Sequence, residues 1–367
     1  MITELRIRNF KRFADTTLRL APLTVLTGCN GTGKSTAVQS LLLARQVAED
    51  DGASVAQLNG PYGLALGEAW DVLHPEAERQ EIEIRLRAEH AEYAYRLEIP
   101  DNRALHLPIR ERPEQHPPAL IGSGASFTYL TAERLGPRDQ LSVTSEEQDK
   151  IGVGEQGQYT AQALAVHDTA RVGELLRHPD TSEHGVTTLR TQVEEWTSEI
   201  VRPIRITAQW APGLTASVIR FQNPGVYGEQ LRPQNMGFGV SYALPIIVAG
   251  LLMKPGGLLI VENPEAHLHP AGQSRLGRYL GRVAGNGAQV IVETHSDHVL
   301  NGIRLATVED ETVASDDVLV HFFGQESDEP TPIDLTARGG LTTWPEGFFD
   351  QIETDLGRLA RAKRRNR

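Results

Sequence analysis

Leu23-Thr-Val-Leu-Thr-Gly28-Cys29-Asn30-Gly31-Thr32-Gly33-Lys34-Ser35-Thr36 is the stretch whose reading decides the fold. Its apolar start stops at a glycine, and from Ser35 the pattern STAVQSLLLARQVAE turns helical. The order is therefore strand, glycine-rich loop, helix. Residues 28 to 35 satisfy G-x-x-x-x-G-K-[ST] at every fixed position. Glycines let such a loop turn its N–H groups inward around phosphate oxygens, and the helix behind it presents its positive N-terminus. In this pattern Lys34 reaches the outer phosphates and the Ser35 hydroxyl ligates Mg²⁺, with Gly28, Asn30, Gly31, Thr32, Gly33 and Thr36 completing the cradle. In a chain of this length, a chance match is expected on the order of 1% of the time or less.

Two further apolar runs end in polar residues. GLLIVENPEAHLHP is a buried strand that delivers Glu262 to the sheet edge, where a carboxylate can hold Mg²⁺ directly or through water. AQVIVETHS delivers His295 to the same edge. Strands alternating with helices argue for a mainly parallel sheet covered on both faces. EIEIRLRAE and YAYRLEI alternate with period two and predict an antiparallel hairpin between residues 81 and 99. Residues 108 to 126 and 136 to 158 read as loops, residues 160 to 201 as mostly helical without a sustained heptad, and residues 204 to 222 as strands.

The 367 residues are 40% hydrophobic and 23% charged, with a formal net charge of -12. Such a chain can bury a full core. Its negative charge argues against a surface that coats nucleic acid nonspecifically, since phosphate binding needs clustered cations. Two local basic patches stand out: Arg6, Arg8, Lys11 and Arg12 near the start, and Arg358, Arg361, Lys363, Arg364, Arg365 and Arg367 at the tail. Both also fit ordinary solvated surface. The single cysteine, Cys29, excludes an internal disulfide framework and a cysteine-rich zinc site. No run is apolar enough to span a bilayer and MITELRIRNF lacks a signal peptide's apolar segment, so the expected location is the cytoplasm, away from membranes.

NFKRFADTTLRLAPLTVLTGCNGTGKST, ENPEAHLHP and ETHSDHVL together resemble the ABC-type ATPases of the RecF, SMC and OLD superfamily. Among them the chain looks most like stand-alone bacterial members with a C-terminal W-P-x-G-F-F-D signature, here Trp344 to Asp350. The resemblance implies an α/β P-loop NTPase fold of ABC/SMC-head type: a mainly parallel core sheet, an antiparallel β subdomain and a helical lobe insertion. It divides the chain into an ATPase lobe with the phosphate loop and β subdomain (1–138), a mostly helical insertion lobe (139–230), a second ATPase lobe (231–325), and a C-terminal module with the basic tail (326–367).

Carried over by motif, the resemblance implies ATP and Mg²⁺ as cofactors, with Lys11 and Arg12 added to the nucleotide site. Glu262 takes the Walker B place and His295 that of the switch histidine. Gly237, Gly239 and Ser241 in NMGFGVSYALP take the signature region, which would contact the γ-phosphate held by an opposite subunit; the same glycines also fit a tight strand-to-helix turn. FTYLTAERLGPR falls where a glutamine loop belongs but has no glutamine, leaving Glu133 and Arg134 as substitutes. Asn263 stands where the catalytic glutamate usually does, and an amide cannot accept a proton from water. Glu265 or His295 then serves instead, or hydrolysis is slow. The implied assembly is a homodimer or higher oligomer sandwiching ATP, working with a separate nuclease or toxin effector, because about 70 residues after His295 leave no room for an appended nuclease domain. Nucleic acid is a further candidate partner. An ABC transporter subunit and a non-hydrolysing ATP-binding scaffold are the alternatives.

Overall fold

The computed structural model describes every residue except His90, Asn102, Glu183, His184, Pro212, Val226, Tyr227, Glu326, Asp328, Asn366 and Arg367. Arg367 of the basic tail thus lies outside the described residues, and the side chains of Arg364 and Arg365 are likewise not described. The chain is built around a six-stranded sheet in the order β15 (Thr331–Asp334), β14 (Val318–Phe323), β3 (Leu23–Gly28), β13 (Gln289–Glu293), β12 (Leu258–Glu262) and β8 (Phe127–Leu130). All neighbours are parallel except the edge strand β15. Along the inner strands, alternate side chains enter different cores. Leu23, Val25, Leu259, Val261, Val290 and Val292 join one cluster, whereas Leu26, Leu258, Ile260 and Ile291 join the other. This is why these strands read as continuous apolar runs: a parallel sheet covered on both faces has no wet side.

One face is covered by α1 (Lys34–Glu49) and by an antiparallel sheet of β2 (Phe13–Arg19), β1 (Ile2–Phe10), β5 (Glu81–Ala88), β6 (Ala91–Glu98), β7 (His106–Glu111) and β4 (Val55–Gln57), with the short helix α2 (Ala69–Val72) beside it. The hairpin expected over 81 to 99 is β5–β6, paired from Glu81↔Glu98 to Ala88↔Ala91. The buried Gln289 ties this layer to the core sheet, accepting from the Ile2 N–H (2.9 Å) and donating to the Ile2 carbonyl (2.6 Å). The other face carries α3 (Thr160–Val166), α5 (Leu189–Ile200), α6 (Phe238–Leu252), α7 (Pro270–Gly285) and α8 (Asp297–Val308). Residues 139–230, expected to be mostly helical, also hold α4 (Pro179–Ser182) and a separate sheet, β10 (Arg205–Gln209), β11 (Ala216–Gln222) and β9 (Gln140–Ser142). That segment is mixed in character, with helix confined to α3, α4, α5 and single 3-10 turns among the described residues. The last element is α9 (Gln351–Arg365). Among the described residues, no helix is long and apolar enough to cross a membrane.

Candidate functional site

Strand β3 ends in the glycine loop, and the loop's shape is set by the strand beside it. Gly28 has φ +136°, and a Cβ there would lie 2.2 Å from the Phe323 carbonyl oxygen of β14. Only glycine fits so close to another backbone. Gly31 and Gly33 also have positive φ, and a Cβ on Gly33 would meet Arg12 Cδ and Phe13 Cζ at 2.7 Å each. The turn between β1 and β2 therefore lies against the loop, which places Arg12 at the site. Lys11, one residue before it, instead donates to Gln39 Oε1 on α1 (2.8 Å). Thr32 Oγ1 donates to the Cys29 carbonyl at 2.7 Å and holds the turn closed. Lys34 is buried, its Nζ donating to the carbonyls of Gly28 (3.1 Å) and Cys29 (2.5 Å), and burial lowers its pKa. Asn30 and Gly31 are exposed at the tip, and Ser35 and Thr36 are half-buried in the first turn of α1, where backbone N–H groups have no partner within the helix.

Ser35 Oγ donates to Glu293 Oε1 at 2.9 Å. Glu262, the acid expected beside the phosphate loop, accepts with Oε1 from the Tyr129 hydroxyl (3.1 Å) and with Oε2 from the Ala132 N–H (3.3 Å). The two acids are in register at the ends of neighbouring strands, Glu262 on β12 and Glu293 on β13. Both are buried, and burial raises both pKa values. For Glu293 burial and the neighbouring Glu262 charge push the pKa up to about 7, against the pull of the Ser35 hydrogen bond and Lys34. Glu293 Oε2 is buried without a hydrogen-bond partner among the described residues. Among those residues, no cluster of three or more acids, histidines or cysteines is assembled for a metal. A hydroxyl and two carboxylates fit Mg²⁺ instead, which keeps several waters and is usually held by one or two carboxylates plus the phosphates of its nucleotide.

Beyond Glu262 the chain turns sharply, with Asn263 at φ +44°. Arg134 fastens this turn: it is buried, Nη1 donating to the carbonyls of Thr131 (2.9 Å) and Glu262 (2.7 Å) and Nη2 to that of Asn263 (2.7 Å). Burial lowers its pKa to about 10, which leaves it cationic at neutral pH. Of the two residues offered for the missing glutamine, Arg134 holds the site together and Glu133 is exposed. Asn263 Oδ1 is buried and unpartnered among the described residues. Glu265, a candidate base, has both oxygens engaged: Oε1 accepts the His295 N–H (2.8 Å) and Oε2 the Thr294 hydroxyl (2.7 Å). Glu265 thus positions His295, whose ring is exposed and whose pKa is lowered by partial burial and by Lys34.

Residues 1–106 match a family model described as "AAA ATPase domain", residues 157–301 one described as "AAA domain, putative AbiEii toxin, Type IV TA system", and residues 313–359 one described as "Protein of unknown function (DUF3696)". The first two of these matches mark AAA-type ATPase domains over residues 1–106 and 157–301. The chain's fold is similar to that of an SMC head bound to the C-winged helix domain of ScpA, at 12% identity and a TM-score of 0.52 over 96% of this chain and 99% of that one. It is also similar to an SMC head with an extended coiled coil, bound to the C-terminal domain of ScpA derived from Pyrococcus furiosus, at 14% identity and a TM-score of 0.54 over 99% of both chains. At such identities the likeness is one of fold. No curated protein matched the sequence.

Gly237, Gly239 and Ser241, expected to form the signature region, lie at the start of α6. Gly237 is the N-cap, at φ +80° with open space where a Cβ would be, and Phe238 is 51% exposed. Gly239 lies against the His267 carbonyl and Leu268, and the Phe238 ring sits 5.0 Å from that of His267. Ser241 follows one turn on, lining a small cleft with Leu135 and Gly136. The W-P-x-G-F-F-D segment is anchored by the buried Phe348, whose ring meets Phe322 of β14 at 5.5 Å and Trp344 at 5.0 Å. Gly347 to Gln351 then line a cleft of about 350 Å³ with Thr27, Gly28, Cys29 and His295. Sequence reasoning saw this motif but not that it reaches the phosphate loop, and it missed Glu293 altogether. The signal for Glu293 was an acid ending a buried strand, the same signal that identified Glu262.

Proposed function

We propose that this ATPase is a slow switch: two heads close face to face when ATP and Mg²⁺ are bound, and the closed pair controls a separate effector in bacterial defence against phage or in DNA maintenance. Asn263 carries the reading. It occupies the position after the Walker B acid, it has no carboxylate to accept a proton from water, and the next acid, Glu265, is committed to the His295 loop. ATP supplies the phosphates and Mg²⁺ neutralises their charge; the chain's own part is to hold them and to exclude bulk water. The exposed start of α6, beyond the Glu262–His267 turn, suits contact with a nucleotide held by another head. The toxin–antitoxin wording of one matching family model and the ScpA-bound state of the SMC heads support a head that works through a partner.

The test is ATP turnover and ATP-dependent dimerisation of the full chain, with Lys34→Ala as the control that loses nucleotide binding. Asn263 also has a backbone reason to be asparagine, since its left-handed conformation suits Asn and Asp better than most residues. Asn263→Asp therefore accompanies Asn263→Glu. Restoring a carboxylate is expected to speed turnover by roughly 10²-fold or more and to shorten the dimer's lifetime. Fast wild-type turnover, unchanged with dimer lifetime in both variants, overturns the slow-switch reading.

A further inference from the structure

We propose that Glu293 is a second carboxylate of the magnesium site, holding the cation together with Ser35 and Glu262 against the phosphates of bound nucleotide. The inference rests on the nucleotide-site reading above and adds a ligand-holding residue to it.

Sheet order is the first argument. Strand β13 lies between β3, which leads into the phosphate loop, and β12, which carries Glu262. Its last residue, Glu293, is in register with Leu26 on one side and Glu262 on the other. An acid there is nearer the loop than one at the end of β12. The hydrogen bond from Ser35 Oγ to Glu293 Oε1 shows that nearness directly.

Chemistry is the second argument. Glu293 is only 5% exposed, and its Oε2 has no hydrogen-bond partner among the described residues. A buried acid with an unsatisfied oxygen is costly unless it takes up a proton or a positive charge meets it, and at a site built for anionic phosphates and a cation the charged form is the one a metal can use. Lys34 is close enough to influence Glu293, yet its ammonium is turned to the loop carbonyls. Arg134 is turned to the backbone of Glu262 and Asn263. A divalent cation beside Ser35 answers the free oxygen, directly or through one water. The Ser35 hydroxyl can ligate that cation through its oxygen while still donating its proton to Glu293 Oε1. A purely structural role for Glu293 would leave Oε2 unexplained, and a role as proton acceptor would need it to face the attacking water instead of the metal.

Glu293→Gln tests this, because glutamine keeps an acceptor for Ser35 and the same shape while removing the charge. Binding of Mn²⁺ to the full chain, read by electron paramagnetic resonance with a non-hydrolysable ATP analogue present, is expected to weaken at least tenfold. Analogue affinity in EDTA is expected to stay the same or tighten, since a negative charge near the phosphates has gone. Glu293→Asp, which keeps the charge on a shorter stem, is expected to fall between the two and serves if the glutamine variant does not fold. Unchanged Mn²⁺ affinity in Glu293→Gln overturns the proposal, and if turnover alone falls, Glu293 is a proton acceptor. If wild-type chain binds no analogue with or without metal, the nucleotide-site reading itself is at fault.

Discussion

Glu265 separates a clamp from a base. Its two oxygens accept from the His295 N–H at 2.8 Å and the Thr294 hydroxyl at 2.7 Å. A hydrogen bond to a charged acceptor contributes about 1.5–3 kcal/mol, and Glu265 is half-buried, so Glu265→Ala is expected to cost roughly 2–4 kcal/mol in all. Glu265→Gln is milder. Its amide oxygen can still accept the His295 N–H, but its NH₂ group faces the Thr294 hydroxyl, which also accepts from the Ser296 N–H at 3.0 Å. That hydroxyl must then turn its own proton away inside a site with no water access, since Thr294 is 0% exposed. The expected loss is about 1 kcal/mol. Urea unfolding of the nucleotide-free chain reads the stability, and single-turnover hydrolysis reads the chemistry. A clamp predicts that Glu265→Gln keeps turnover within about threefold, while Glu265→Ala loses stability and turnover together as His295 drifts. General-base catalysis is worth about 10² to 10⁴ in rate. A fall of that size in Glu265→Gln, at unchanged stability, would refute the clamp.

Two other perturbations probe the frame around the site. Arg134→Met should destabilise the chain by about 3–5 kcal/mol in urea unfolding, because it strands the carbonyls of Thr131, Glu262 and Asn263, and Arg134→Lys should recover only part, since one ammonium cannot span all three; full recovery by lysine would mean that charge alone matters. In the antiparallel layer, burial works to raise the Glu83 pKa, but hydrogen bonds from Arg85, Arg96 and Arg8 outweigh it and bring the pKa down to about 2. The depressed native pKa means that Glu83 contributes stability above its ordinary carboxylate range, lost as pH falls through that range towards 2. With the half-exposed guanidinium groups screened by solvent, the difference between wild type and Glu83→Gln should shrink by about 2 kcal/mol between pH 6 and pH 2.5. Parallel pH profiles for the two proteins would contradict that account.

Much of the core was readable because its signals are local. Loop glycines, the lysine and the helix that follows are consecutive, and the β5–β6 hairpin joins residues close in the chain. The inner strands announce themselves because both their faces are dry. Residues 139–230 were less legible for the opposite reason. Strand β9 has only three residues, and its partner β11 begins more than 70 residues later, at Ala216. No periodicity over so short a run can distinguish it from loop, and its pairing is made by tertiary contact alone. Likewise, Val318–Phe323 is a short apolar run, and nothing in its spacing shows that it lies beside β3, where its Phe323 carbonyl sets the conformation of Gly28.

The site's hidden part has the same origin, carried one step further. Motif order places Glu262 next in line after the phosphate loop, so sequence reading sets it beside that loop as the acid that holds Mg²⁺. Sheet order is different. Strand β13 follows β12 in the chain but is inserted between β12 and β3, and this brings Glu293 to Ser35 and leaves Glu262 one strand further out. Glu262 then has Tyr129 and Ala132 of the neighbouring segment within reach, and Arg134 fastens the backbone behind it. Seen this way, three departures from the expected pattern are linked: no glutamine in the 127–138 segment, an amide at 263 and an extra acid at 293. An arginine holds the turn after Glu262, the turn's left-handed residue is an asparagine, and a carboxylate from the adjacent strand reaches Ser35. Restoring a carboxylate at 263 while Glu293 is intact adds a third acid to the same edge, so the rate gain expected for Asn263→Glu should grow when Glu293→Gln is combined with it at saturating Mg²⁺. Simple additivity of the two substitutions would mean that positions 263 and 293 do not share a site.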